Sequence, residues 1–180
     1  SFWPIHPDIA DAYAFKTPIV GYFLGAAGTI WGLQRLAQQF SDIQLPDFTK
    51  AVQQTIDNQA ENLSAGVETL QIDPNSPDYL LGYSGKELLS YQLNSSPNTL
   101  DKLANLIRSN IDNPMLEMMW AAPGTMMIAY FLWQKTKEQR WQTLWHESAQ
   151  YLFDTWQYDD ASDSFLWTQD LYGSKAKHTG

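Results

Sequence analysis

Three short turns of small residues, each ending in glycine, lead directly into apolar runs with helical spacing. The turns are Gly25-Ala-Ala-Gly28, Gly82-Tyr-Ser-Gly85 and Ala121-Ala-Pro-Gly124. Residues without bulky side chains allow left-handed dihedrals and close approach of the backbone at a helix start. Recurrence of such a turn predicts a repeat architecture. We call each turn, together with the start of its helix, a helix mouth.

Two kinds of helix alternate along the chain. The helices after the glycine turns are predicted to be apolar, and the one at 125–133 is apolar on every face, whereas those predicted at 47–67, 97–111 and 137–156 each have one polar face. No segment shows the sustained alternation of a strand. We therefore predict an all-α single domain over residues 1–180, an incomplete α/α toroid with apolar inner helices and amphipathic outer helices. A superhelical solenoid of paired helices has the same pattern.

Charge and composition exclude several classes of function. The chain has 20 acidic and 11 basic residues and a formal charge of −9, which repels nucleic acid and anionic membrane surfaces. No run approaches the roughly 20 apolar residues of a membrane span, and the first residues lack the basic start of a signal peptide. We therefore expect a soluble, cytoplasmic protein. Because cysteine is absent, the chain cannot form a disulfide or a thiolate metal site.

The ends of the chain and its last segment give three further expectations. The chain starts without methionine and stops at Gly180, so we expect a fragment of a longer chain that continues after this residue. Part of a toroid exposes its inner helices, and such apolar patches drive self-association. The acidic stretch after Trp156 has no helical pattern and is predicted to be a connection that rims a pocket or is merely solvated.

The three helix mouths, the segment 117–127 and the closing segment 166–180 resemble bacterial lanthionine synthetase C-like proteins. The resemblance implies an α/α toroid whose inner helices begin at Gly-x-x-Gly turns. It also implies, for complete members, a zinc ion held by two cysteines and a histidine, which activates a thiol for addition to a dehydrated serine or threonine. His6, His146 and His178 do not lie in that ligand motif. We expect no metal in this chain, zinc and a peptide or thiol substrate in the full-length parent, and no activity from the chain alone.

The resemblance also implies an acidic residue that assists proton transfer, four positions before the first small residue of a mouth. Glu117 and Asp78 both have this spacing. The order of the repeats favours Glu117 as the catalytic residue and leaves Asp78 as the weaker candidate, while a simple helix-capping role for Glu117 stays open. Four residues near the mouths are candidates for substrate binding: Trp120, Tyr83, Trp167 and Asp170.

Two other functions stay open on the sequence. Six-hairpin glycosidases share the toroid, and Glu117 with Asp170 or Asp78 would then be the two carboxylates that flank the scissile bond. The chain could instead be a non-catalytic helical-repeat module that grips a peptide with aromatic side chains. The helical spacing of four further tryptophans indicates packing roles: Trp133, Trp141, Trp145 and Trp156.

Overall fold

A computed structural model describes residues 21–23, 25–57, 76–171 and 174–179. Within these residues the chain is mostly helical, as predicted, with three glycine-led helices that alternate with three amphipathic ones. The helices are α1 (Ala26–Gln39), α2 (Thr49–Asp57), α3 (Tyr83–Leu93), α4 (Pro97–Ser109), α5 (Ala122–Thr136) and α6 (Gln139–Thr155).

The helix starts follow from local chemistry. The Asp47 side chain accepts a hydrogen bond at 2.9 Å from the backbone N–H of Thr49, the first residue of α2. The predicted extension of this helix to residue 67 falls on 58–67, which lie outside the described residues. Helix α4 begins at Pro97, as predicted, because proline at the first helical position has no N–H that would need a partner.

Helix α3 is the centre of the helical part. It contacts α1, α2, α4 and α5, while α6 packs on α5 and α4. One apolar cluster joins α3 to α4, α5 and α6 and contains the fully buried Trp141, which confirms the packing role predicted for this tryptophan. A second cluster joins α1, α2 and α3 around Leu89. The glycine-led helices therefore follow one another in space, each with an amphipathic neighbour.

The prediction that helix 125–133 is surrounded on every face is wrong for the part of the chain that the structure describes. Met127, Tyr130 and Phe131 of α5 are all exposed. Their neighbours cover them only in part, although the opposite side of α5 lies in the core with Ile128 and Leu132. Helix α5 therefore has one apolar face that is open to solvent.

The chain is broadly all-α, as predicted, but the segment after residue 156, which was predicted to be a connection, forms strands. A three-stranded antiparallel sheet in the order β1-β2-β3 follows α6 and consists of β1 (Gln157–Asp159), β2 (Ser164–Leu171) and β3 (Ser174–Thr179). Leu166 of β2 pairs with Gln157 on one side and with Thr179 on the other. Strand β2 escaped detection because apolar side chains point to both of its faces. Phe165 stacks on Trp156 with the ring centroids 4.7 Å apart, while Leu166, its neighbour, is buried.

The sheet is attached to the helical part through β2. The backbone N–H of Asp170 donates to the carbonyl of Pro114 at 3.0 Å, and the Gln169 amide donates to the carbonyl of Leu116 at 3.2 Å. These bonds hold the sheet against the loop that leads into the third mouth. Among the described residues, no helix combines the length and the apolar character that crossing a bilayer requires.

Candidate functional site

The three helix mouths share one backbone geometry. The residue before each helix, its N-cap, is extended, with ψ values of −163°, −154° and −166° in chain order. None of these N-caps makes a side-chain hydrogen bond to the helix start. A glycine occupies the third helical position, N3, in every mouth. The three N-cap and N3 pairs are Gly25 with Gly28, Gly82 with Gly85, and Ala121 with Gly124.

Close approach of the backbone explains the glycine at N3. A Cβ atom at this position would overlap the carbonyl oxygen of the residue six positions earlier, which is Tyr22 in the first mouth, Tyr79 in the second and Met118 in the third. Any side chain at N3 would therefore push the incoming loop away from the helix. The mouths are structural repeats, so residues at equal positions in them can be compared directly.

Asp78 holds the loop of the second mouth. Its Oδ1 atom accepts hydrogen bonds from the backbone N–H groups of Leu81 and Gly82, both at 2.7 Å. The side chain is fully buried, and its Oδ2 atom has no hydrogen-bond partner among the described residues. Burial raises the pKa of Asp78 above its ordinary value, although the Ser76 hydroxyl, the backbone donors and the nearby Lys86 act in the opposite direction. Asp78 is thus a carboxyl group with one oxygen engaged and one free.

Lys86 lies at the fourth helical position, N4, of the same mouth and is also fully buried. Its Nζ atom is 3.4 Å from the carbonyl oxygen of Leu81 and 5.4 Å from the centroid of the Tyr83 ring. Burial lowers the pKa of Lys86 to about 7, and the negative charge of Asp78 only partly offsets this. An amine with this pKa can take up or release a proton near neutral pH.

Comparison of the repeats shows that the fold does not need this pair. The position of Asp78 is occupied by Gly21 in the first mouth and by Glu117 in the third, and the position of Lys86 is occupied by threonine in both. The hydroxyl groups of Thr29 and Thr125 donate to backbone carbonyls of their own first turn, at 3.3 Å and 3.2 Å. A buried acid next to a buried amine therefore occurs at one of three equivalent positions.

Glu117 does not cap the start of α5, the role that the sequence left open, but it holds the turn before this helix. Its Oε2 atom accepts a hydrogen bond from the N–H of Met119 at 2.8 Å, and its Oε1 atom accepts one from Trp120 at 2.6 Å. The carbonyl oxygen of Glu117 accepts the N–H of Ala121 at 2.9 Å. Both carboxylate oxygens are thus engaged in holding the third mouth.

The candidate substrate-binding residues do not gather at one place. Trp120 is buried beside the third mouth, where its ring offers little surface to a ligand, and Tyr83 packs against the cluster of α1, α2 and α3. The indole of Trp167 donates to the carbonyl of Leu152 at 2.7 Å and so holds β2 on the end of α6. Asp170 lies near the loop that leads into the third mouth, through its backbone bond to Pro114.

An apolar groove of about 580 Å³ lies beside the second mouth. Its walls come from the three glycine-led helices and from the loops before them, and its lining includes Tyr22, Tyr79, Tyr91, Trp31 and Phe131. Two cations, Arg35 and Lys135, lie at its edge. The sequence did not single out Tyr22, Tyr79 or Lys86. Alignment of the mouths on their N3 glycines would have found all three. Tyr22 and Tyr79 lie at the same position of two mouths, and Lys86 lies where the other two mouths have threonine.

The chain does not fit the zinc site that the resemblance implies. That site needs two cysteines, and the chain has none. Within the described ranges, no group of three histidine, cysteine, aspartate or glutamate side chains could hold a metal ion. His146 of α6 makes an edge contact with Trp145, with 5.3 Å between the ring centroids.

Comparison of the chain with known protein families, with curated proteins and with solved structures finds no match.

Proposed function

We propose that this chain forms three helical-hairpin units in the wall of an α/α toroid of the lanthionine synthetase C-like kind. Support comes from the glycine-led helices, since α1 contacts α3, and α3 contacts α5. Each begins with the same extended N-cap and the same N3 glycine, as the inner helices of such a ring require. The amphipathic helices α4 and α6 contact each other, as expected for neighbours in an outer layer.

The second mouth is the proposed site of proton transfer, and the free oxygen of Asp78 is the observation that carries this assignment. Addition of a thiol to a dehydrated residue forms a bond from sulfur to the β carbon, while the α carbon receives the double-bond electrons and then a proton. The thiol gives up its own proton. Asp78 and Lys86 together can donate one proton and accept another near neutral pH. Because both are buried, the mouth must open to admit the substrate.

The same geometry makes Glu117 the weaker candidate, which reverses the preference from the order of repeats. Its carboxylate is engaged by two backbone N–H groups, whereas Asp78 keeps one oxygen free. Activation of the thiol by zinc would need ligands that this chain does not hold. The chain alone is therefore expected to be inactive in thiol addition.

Matched amide substitutions test the assignment in the protein that contains this chain. Asp78→Asn keeps an oxygen that can accept the N–H groups of Leu81 and Gly82 but removes the acid, and Glu117→Gln makes the same change at the third mouth. Addition of a small thiol to a peptide with a dehydrated serine is followed by the increase in peptide mass. We expect Asp78→Asn to lower kcat by about 10²–10⁴ and Glu117→Gln to leave it near the wild-type value. Equal rates for the two variants would exclude Asp78 from the reaction.

A non-catalytic peptide-binding module is a second candidate, favoured by the aromatic groove of about 580 Å³. In that case a peptide would quench tryptophan fluorescence on binding, and Asp78→Asn would change neither the affinity nor any reaction rate. No observation favours the glycosidase alternative. Its two carboxylates must both face one bond, but Asp78 is buried and Glu117 is engaged by the backbone.

A further inference from the structure

In the first two mouths, the residue six positions before the N3 glycine packs against the next mouth along the chain. Tyr22, from the first mouth, lies against the second mouth, with its Cβ 2.9 Å from the position of a Cβ on Gly85. Tyr79, from the second mouth, lies against the third, with its Cβ 3.3 Å from that position on Gly124. We call this side chain the plug and the surface around the N3 glycine the socket. The plugs Tyr22 and Tyr79 thus each occupy the socket of the following mouth.

The last plug has no socket among the described residues. Met118 occupies the plug position of the third mouth and is 51% exposed, whereas Tyr79 at the equal position of the second mouth is 8% exposed. The face of α5 beside Met118 is also exposed, at positions whose counterparts on α3 are buried. Met127 and Tyr130 are 37% and 45% exposed, but their counterparts on α3, Leu88 and Tyr91, are only 2% and 7% exposed. The second hairpin, α3 and α4, uses this apolar surface to contact the third hairpin, α5 and α6. The third hairpin therefore exposes the equivalent surface.

The first socket has no plug among the described residues. Near Gly28, the three atoms closest to a Cβ position are all backbone atoms of Tyr22, from its own mouth. One turn later Gly32 has no atom of another described segment within 4 Å of its Cβ position. The counterparts of Gly32 are Leu89 and Ile128, and both are fully buried against the preceding hairpin. The first hairpin thus carries the complementary half of the joint, with small residues where an incoming side chain would fit.

We propose that the open face of Met118, Met127 and Tyr130 binds the socket around Gly28 and Gly32 of a second copy of this chain. The joint is head-to-tail, because the two surfaces are different parts of the chain. It repeats the contact that Tyr22 makes with the second mouth and Tyr79 makes with the third. Two copies joined in this way extend the row of glycine-led helices without a new kind of interface. The inference rests on the repeat geometry and does not depend on the proposed proton transfer.

Cysteine cross-linking tests the joint directly, because the chain has no cysteine of its own. One batch of the chain carries Met118→Cys and another carries Gly32→Cys, where there is open space for the new side chain. When the two are mixed under mild oxidation, we expect a disulfide between the different variants in large excess over disulfides within either batch. Predominant cross-linking of the Met118→Cys chain to itself would mean that the open face binds its own copy symmetrically, and this would overturn the proposal.

Sedimentation velocity over a range of concentrations gives the second measurement. We expect Met118→Glu to weaken self-association by about tenfold or more, as for a residue at the centre of an interface. Phe153→Glu is the matched control, because Phe153 is an exposed apolar residue on α6 outside both surfaces. Circular dichroism checks that both variants keep their helices. A monomer at every concentration, or equal weakening by the two substitutions, would overturn the proposal.

Discussion

Two glycine-to-alanine substitutions should have effects of opposite sign on stability. In Gly85→Ala the new methyl group would overlap the carbonyl oxygen of Tyr79 and lie 2.9 Å from the Cβ of Tyr22. In Gly32→Ala the methyl group would enter open space. Both glycines lie within helices, so the helical preference of alanine favours both variants alike. The difference between the variants therefore measures the close approach at the mouth.

The magnitude follows from two opposing effects. Alanine in place of glycine within a helix stabilises it by about 1 kcal/mol, and this is the whole effect expected for Gly32→Ala. For Gly85→Ala, relief of the overlap requires movement of a backbone carbonyl and of a neighbouring ring. Overpacking of this kind costs about 1–3 kcal/mol, and occasionally more where backbone must shift. We expect Gly85→Ala to be destabilised by up to about 2 kcal/mol after the helical gain is subtracted.

Urea unfolding followed by circular dichroism measures both changes. The measurement is made at low protein concentration, where association through the first socket does not contribute. For a chain of this size, a difference of about 3 kcal/mol between the variants corresponds to roughly 6–12 °C in Tm. If Gly85→Ala were as stable as Gly32→Ala, the reasoning on the N3 glycines would be refuted.

Three other predictions concern single side chains. Between pH 7 and the ordinary lysine pKa of 10.5, Lys86 is less protonated in the folded chain than in the unfolded chain. The free energy of unfolding of the wild type should therefore rise with pH across this window, relative to that of Lys86→Thr. If the two free energies changed in parallel with pH, Lys86 would not be a buried amine. Asp78→Ala should destabilise the chain by about 1–2 kcal/mol and Asp78→Asn by less in urea unfolding, because only alanine removes the acceptor of two N–H groups. Asn113→Ala should cost about 2–3 kcal/mol, since its side chain bonds to Asn110, Met115 and Trp120, and a loss below 0.5 kcal/mol would show that solvent replaces these bonds.

Helices were predictable from this sequence because their signals are local. The cap at Asp47, the proline at the first position of α4 and the small-residue turns each act within one helical turn. The sheet was not predictable in the same way. Strand β2 lies between two neighbouring strands and against the loop at Pro114, so its faces are not divided into one apolar and one polar side. Its aromatic residues, among them Phe165 and Trp167, were the remaining signal of strand preference.

The candidate site was predictable in position but not in the ranking of its acids. Spacing placed Asp78 and Glu117 at equal positions of two mouths, and this holds in the structure. Spacing could not show that the backbone engages both oxygens of Glu117 and only one of Asp78. It also could not show that the amine of Lys86 turns inward, since a lysine in the first turn of a helix is usually solvated.

The cost of burying Lys86 is itself an argument that the second mouth does more than hold the fold. A buried amine is disfavoured in its charged form, which is why burial lowers the pKa of Lys86 to about 7. The other two mouths form without this cost, with a threonine that donates to its own helical turn. Lys86→Thr should therefore leave the second mouth intact and stabilise the chain at pH 7. Faster amide exchange at Gly82 and Tyr83 in this variant would show that the mouth unfolds locally. Lys86 would then be needed for folding, and its burial would not support a role in proton transfer.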